Sequence, residues 1–246
     1  MDSVPLPATP YTVIRIPASS PRLADLAAKY RATKLAALQA EPNALAVKYA
    51  DESLYPASVW QQRLVPPAAI LICVALPDAS APYEPEDALM AGDWICMATI
   101  RGPLPYAEYH LPESGQPVPA DASLETRWHL CNLYTTIAHR GKGLAKKAIH
   151  AALQYAAEQT RALAQQSGNA GKMRARIRLF CDPNNSLLVG MYGRLGFREA
   201  GMVTLKEAFG LNGDGEMIPA DTDSTEELRW KWHRRYGLAM EIVVDA

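Results

Sequence analysis

The sequence is short of the features that mark secreted, metal-binding and membrane proteins. Its 246 residues hold four cysteines, Cys73, Cys96, Cys131 and Cys181. They are widely spaced in apolar, strand-like runs and form no pair at zinc-ligand spacing. They therefore read as small core hydrophobes in a reducing compartment, and no metal is expected. The longest apolar run, Pro67–Leu76, reaches about half of the ~20 residues that a membrane-spanning helix requires. The start, Met1-Asp-Ser-Val-Pro-Leu-Pro, has neither the basic residues nor the apolar stretch of a secretory signal. Net charge is −1, from 25 Lys and Arg against 26 Asp and Glu, which argues against a dedicated nucleic-acid binder. The expectation is a cytoplasmic chain with no membrane or nucleic-acid partner. On oligomeric state the sequence is silent.

What is present is enough apolar content (49%) for a true core. Tyr11–Ile16 alternates and predicts a first strand. Ser20 and Pro21 predict the N-cap and first position of a helix in which Leu23, Leu26, Ala27, Tyr30, Leu35 and Leu38 recur at helical spacing toward Ala40. A second helix is predicted within Leu54–Leu64, then strands at Ile70–Leu76 and Asp93–Ile100 around a proline-rich acidic loop, 77–86. Residues 103–124 carry five prolines and no periodicity. That is too long for a hairpin connection, so the segment reads as an insertion, either an excursion or a lid over the substrate side. The strand Trp128–Thr135 feeds a helix over 142–164 whose buried stripe includes Ala145, Ile149, Ala152, Leu153 and Ala156. A strand at Ala175–Cys181 and a helix from Ser186 follow, then a strand near 200–205 and a glycine-rich loop at Gly210–Gly215. The chain ends with a charged, aromatic helix over Thr225–Arg235 and a closing strand, Leu238–Val244. With no repeat and no domain break, residues 1–246 read as a single mixed α/β domain with an N-terminal extension, 1–10, and insertions near 103–124 and 206–235.

The most informative stretch is Leu133-Tyr-Thr-Thr-Ile-Ala-His-Arg-Gly-Lys-Gly-Leu-Ala145. A strand that feeds a glycine-rich helix start aims unpaired N–H groups and the positive end of a helix dipole at one point, which suits a phosphate. Gly141 and Gly143 remove Cβ atoms from the anion's approach, and Arg140 and Lys142 add charge. A P-loop is excluded because no G-x-x-x-x-G-K-[ST] run exists, and a dinucleotide fingerprint because Lys146 stands where its third glycine belongs. What remains is [QR]-x-x-G-x-[GA], satisfied by Arg140, Gly143 and Ala145. Downstream, Asn185 precedes Tyr192 by seven residues and Gly196-Phe197 closes the helix, with Leu188 where a small residue is usual. These two segments resemble the acyl-CoA signature of the GNAT superfamily of N-acetyltransferases, over roughly residues 93 to 205.

That resemblance implies a mixed, mostly antiparallel central sheet, flanked by helices and splayed where the cofactor enters. It implies acetyl-CoA as cosubstrate and a primary amine, on a small molecule or a peptide or protein, as acceptor, joined by direct attack in a ternary complex. Cofactor contacts map to Leu133, Tyr134 and Thr135 on the strand, to Arg140, Gly141, Lys142, Gly143, Leu144, Ala145 and Lys146 in the cradle, and to Asn185. Tyr192 maps to the acid that protonates the departing thiolate. The glutamate that some members carry five residues before the asparagine is Phe180 here, so the base is left among Asp182, Glu125, His129 and water. That gap keeps a rival alive, a non-catalytic acyl-CoA-binding or sensing module. The cluster Trp230–Tyr236 reads either as an acceptor or 3′-phosphate contact, or as a helix with its aromatics packed inward.

Overall fold

The computed structural model describes residues 11–76, 83–111, 114–118 and 121–246. The expected extension over 1–10 and most of the loop at 77–86 lie outside these residues. In chain order the first elements are β1 (Tyr11–Arg15), α1 (Leu23–Ala40), α2 (Tyr49–Glu52), α3 (Ala57–Gln62), β2 (Ala68–Ala75), α4 (Pro85–Ala91) and β3 (Asp93–Arg101). Then come α5 (Tyr106–Tyr109), β4 (Glu125–Thr135), α6 (Leu144–Gln166), β5 (Arg174–Cys181) and α7 (Ser186–Arg194). The chain finishes with β6 (Arg198–Thr204), α8 (Leu205–Asn212), α9 (Glu226–Arg229) and β7 (Tyr236–Asp245). The seven strands follow the order β1-β2-β3-β4-β5-β7-β6, mostly antiparallel, as the mixed α/β expectation requires. Two compact units share the chain: Met1–Thr99 with Asn132–Ala151, and Ile100–Cys131 with Ala152–Ala246.

In the first unit, β2 is buried from Ala68 through Val74. An unbroken apolar run is what a strand covered on both faces demands. It pairs antiparallel with β1, from Tyr11 opposite Ala75 to Arg15 opposite Leu71. Leu26, Ala27, Tyr30 and Ala37 of α1 pack with Trp60, Ile70, Ile72, Val74, Met97 and Tyr134 in one apolar cluster. Among them Lys34 is buried, its Nζ 3.1 Å from Glu52, which also receives Arg63 at 2.5 Å. The helix α1 starts at Leu23, two residues later than Ser20 and Pro21 predict. The Ser20 hydroxyl accepts from the Arg22 N–H and donates to Glu86, a partner 66 residues away that no local reading supplies. Glu86 lies in α4, a helix the acidic-loop reading missed, with Pro85 at its first turn.

In the second unit, β4 and β5 run parallel in register from Glu125 opposite Arg174 to Leu130 opposite Leu179. Parallel neighbours need a long crossover, here the α6 helix. The ladder stops at Leu179, although β5 runs on to Cys181 and β4 to Thr135. The last strand, β7, lies between β5 and β6 and pairs antiparallel with both. One sheet face meets α6, where the Thr126 and Thr160 hydroxyls lie 2.5 Å apart and Trp128 meets Tyr155 edge-on at 5.9 Å. Period-two alternation puts Arg127, His129, Arg176, Arg178 and Glu241 on the other.

Two sequence readings in this unit are corrected. Residues 205–212 form α8, so the loop expected at Gly210–Gly215 starts inside a helix, because Thr204 and Glu207 make a capping box and Gly213 closes it at φ 83°. The expected helix over Thr225–Arg235 is one α-turn, Glu226–Arg229, followed by a π-turn over Trp230–Arg234. Only Trp232 packs inward, against Phe209 at 5.2 Å, while Trp230 and Tyr236 are exposed. The described parts of the 103–124 insertion are fastened to the sheet. Leu104 N–H donates to the Arg127 carbonyl, and the Tyr109 hydroxyl donates to Glu241 at 2.8 Å.

Candidate active site

The cradle belongs to the first unit and is built by the end of β4. At Asn132 the backbone adopts φ 53°, a left-handed value that Asn tolerates better than most residues and that breaks the strand's alternation as a bulge does. Beyond it, the Thr135 hydroxyl donates to Cys96 Sγ at 3.2 Å and the Thr136 N–H to the Ile95 carbonyl at 2.9 Å. Tyr134 is buried in the apolar cluster, whereas Leu133 and Thr135 are half-buried. A single 3₁₀ turn, Ile137–His139, then delivers Arg140 in an extended conformation.

Gly141 and Gly143 sit at φ 76° and 74°. A Cβ added to either would meet nothing within 4 Å. Glycine is therefore required by the left-handed backbone and not by crowding, and the space over the loop is open. The first α-helical bond of α6 runs from Lys147 N–H to the Gly143 carbonyl. Leu144, Ala145 and Lys146 thus carry the orphan amides of a helix start, and the Gly141, Lys142 and Gly143 amides donate to no described residue. Among the described residues, six consecutive N–H groups find no acceptor at one turn.

Two of the cradle's basic side chains, Arg140 and Lys142, are occupied. Arg140 Nε donates to the Thr135 carbonyl at 3.1 Å, and its guanidinium grips the Glu41 carboxylate through both terminal nitrogens. Arg140 holds the Glu41 carboxyl below its usual range, and burial, then Glu41, pushes the Tyr134 phenol up. Lys142 Nζ donates to the Tyr11 hydroxyl at 3.2 Å. Arg140 thus anchors the loop, and the anion-binding capacity rests on the backbone and on the exposed Lys146. Glu41 is a residue the sequence reading missed, because it lies 99 positions from Arg140.

The second signature segment belongs to the second unit. Asn185 Oδ1 accepts from the Leu188 N–H at 3.1 Å, the N-cap role, which leaves its amide NH₂ unused by the cap. Tyr192 is buried, its ring edge-on to Phe197 at 5.8 Å, and α7 closes where the Phe197 N–H returns to the Tyr192 carbonyl. Burial, and after it Cys181, pushes the Tyr192 phenol well above its ordinary value.

Of the three side chains considered as a base, Glu125 and His129 are engaged, and Asp182 is exposed. Glu125 takes Arg176 Nε and Nη2, each at 2.8 Å. Asp182 accepts from the backbone and side chain of Asn184 in a turn. His129 is fully buried, its Nε2 lies 2.6 Å from Asn212 Oδ1, and burial, then Arg178, lowers its pKa to about 3.

Against known proteins, residues 106–197 match the model of the acetyltransferase (GNAT) family. No curated protein sequence matches the chain. Among solved structures, NAA60 of Arabidopsis thaliana in complex with acetyl-CoA superposes with a TM-score of 0.50 at 14% identity, over 95% of this chain and 99% of that one. A GNAT-family acetyltransferase from Streptococcus pneumoniae gives 0.49 at 12% identity, over 95% and 99%. A ribosomal-protein-alanine N-acetyltransferase from Brucella melitensis gives 0.45 at 15% identity, over 95% and 99%. Residues 106–197 are thus similar to the acetyltransferase (GNAT) family, and a mixed, mostly antiparallel sheet carries them.

Proposed function

We propose that the chain transfers the acetyl group of acetyl-CoA to a primary amine, on a small molecule or a peptide or protein, by direct attack in a ternary complex. The observation that carries this reading is the run of six amides from Gly141 to Lys146 at the start of α6, which find no acceptor among the described residues. They would hold the CoA diphosphate as helix N-termini hold anions. Leu133, Tyr134 and Thr135 would offer their backbone groups to the pantetheine arm as an added strand does. An N–H of the same segment would face the thioester carbonyl, a contribution of ~3–4 kcal/mol in comparable oxyanion holes.

Tyr192 is the proposed acid. A phenol raised by burial stays protonated at neutral pH and gives its proton to the leaving thiolate. Three of the chain's four thiols suit no covalent acetyl intermediate: burial pushes Cys73 and Cys181 up to about 11 and also raises Cys96, so none of these is a thiolate at neutral pH. With Glu125 and His129 engaged, deprotonation of the amine falls to water or to the exposed Asp182. Free thiols also suit a cytoplasmic setting.

The test is release of free thiol from acetyl-CoA with a panel of small amines and peptides, beside calorimetric binding of coenzyme A. Saturable release with at least one amine is expected. Tight binding without release from any acceptor would mark a sensing module instead, and no binding would overturn the reading.

A further inference from the structure

Arg178 of β5 is wholly buried. Its Nη1 donates to the Tyr109 carbonyl and, at 3.1 Å, to Gln116 Oε1. The guanidinium lies between two rings, 4.1 Å from the centroid of Tyr109 and 4.9 Å from that of Phe180. Its Nε and Nη2 are buried and have no partner among the described residues, and neither has Nε2 of the buried Gln116. Nε and Nη2 form the side edge of the guanidinium, the fork that a carboxylate fits with two parallel bonds. Buried donors are rarely left unpaired. Here three of them stand around one guanidinium.

Among the described residues, no carboxylate fills that edge. Arg176, two residues along the same face, holds Glu125 with two nitrogens and Glu241 at 3.0 Å, and Tyr109 takes the other Glu241 oxygen. Among the described residues no carboxylate oxygen lies within ion-pair distance of Arg178. Of its cross-strand partners, His129 is neutral at physiological pH, and Glu241 brings charge nearby but gives its oxygens to Tyr109 and Arg176. A guanidinium buried without a direct ion pair is costly.

We propose that Arg178 and Gln116 form a binding site for a small free carboxylate of formate or acetate size. Its two oxygens accept from Arg178 Nε and Nη2, and one of them also accepts from Gln116 Nε2. The burial of both side chains sets the size limit, and entry is short because Gln116 lies between exposed Gly115 and Pro117. The site is separate from the cradle, and its test involves no acetyl transfer.

Thermal unfolding of the full chain in a carboxylate-free buffer should show a saturable rise of several degrees with sodium formate or acetate. Sodium chloride at equal ionic strength should not reproduce it, and a bulkier carboxylate such as benzoate should not either. Gln116→Glu brings a carboxylate to the fork, so this variant should be more stable without added ion and should lose at least nine-tenths of the acetate response. Arg178→Lys keeps the charge but not the fork, and should weaken apparent acetate affinity at least tenfold. Line broadening of acetate resonances by the protein, absent with Gln116→Glu, reads the same site without unfolding. An acetate response matched by chloride, or one undiminished in Gln116→Glu, would overturn the proposal.

Discussion

Replacing Tyr192 with Phe separates its proposed chemical role from a packing role. The ring is buried against Phe197, and Phe keeps that volume. The hydroxyl bonds to no described residue, so its loss at pH 7 should change stability by less than about 1 kcal/mol. Loss of a general acid, by contrast, should lower turnover by about 10²- to 10⁴-fold, with binding of coenzyme A within about twofold of the parent. A second signature comes from alkaline unfolding. Burial raises the phenol in the folded state, so above pH ~10 the unfolded chain releases this proton first, and stability falls as pH rises toward the folded value. The slope for one such group is ~1.4 kcal/mol per pH unit. Tyr109 and other raised groups add to the parent's slope, so the difference between parent and Tyr192→Phe isolates this phenol. Denaturant midpoints measured at intervals from pH 9 to 11 would show it. Turnover within threefold of the parent refutes the acid role, and identical alkaline slopes refute the buried, raised phenol.

His129 supplies the acid-side counterpart. Its folded pKa of about 3 lies below the ordinary value, so stability should be full above pH ~6.5 and fall by ~1.4 kcal/mol per pH unit as pH drops toward 3. His129→Gln should flatten that part of the curve in urea titrations. Gly143→Ala, at φ 74° with open space around it, should cost only the ~1–2 kcal/mol of a left-handed alanine. If the free amides hold coenzyme A, its affinity by calorimetry should drop at least tenfold in the same variant. Gly201→Ala has φ 97° and a Cβ that would overlap the Ser114 carbonyl, so strain and clash together should cost about 3 kcal/mol or more in denaturant melts. Arg176→Met should be destabilised by ~3–5 kcal/mol, because two largely buried carboxylates, Glu125 and Glu241, lose their cation.

Local chemistry made the cradle legible. Two glycines before an alanine-rich helix, and an asparagine ahead of a tyrosine helix closed by Gly196-Phe197, are short-range patterns, and α6 and α7 occur where those patterns lie. The capping box at Thr204 and Glu207 was equally local, yet it lost to the glycines after it in the reading of 205–215. Tyr236 and Trp230 were harder, because a π-turn shifts which side chains face inward, and nothing in the pattern signals it.

By itself, the sequence determined the strand and helix alternation, the left-handed turn that only glycine adopts easily, and the family signature. Each depends on residues within a few positions of one another. Tertiary structure alone decided that β7 lies between β5 and β6, that Glu41 claims Arg140, and that Arg176 takes both carboxylates and leaves Arg178 with an empty edge. Such pairings join residues dozens of positions apart. Their energies come from burial, which removes competing water, and burial is a property of the folded chain rather than of any short stretch of it.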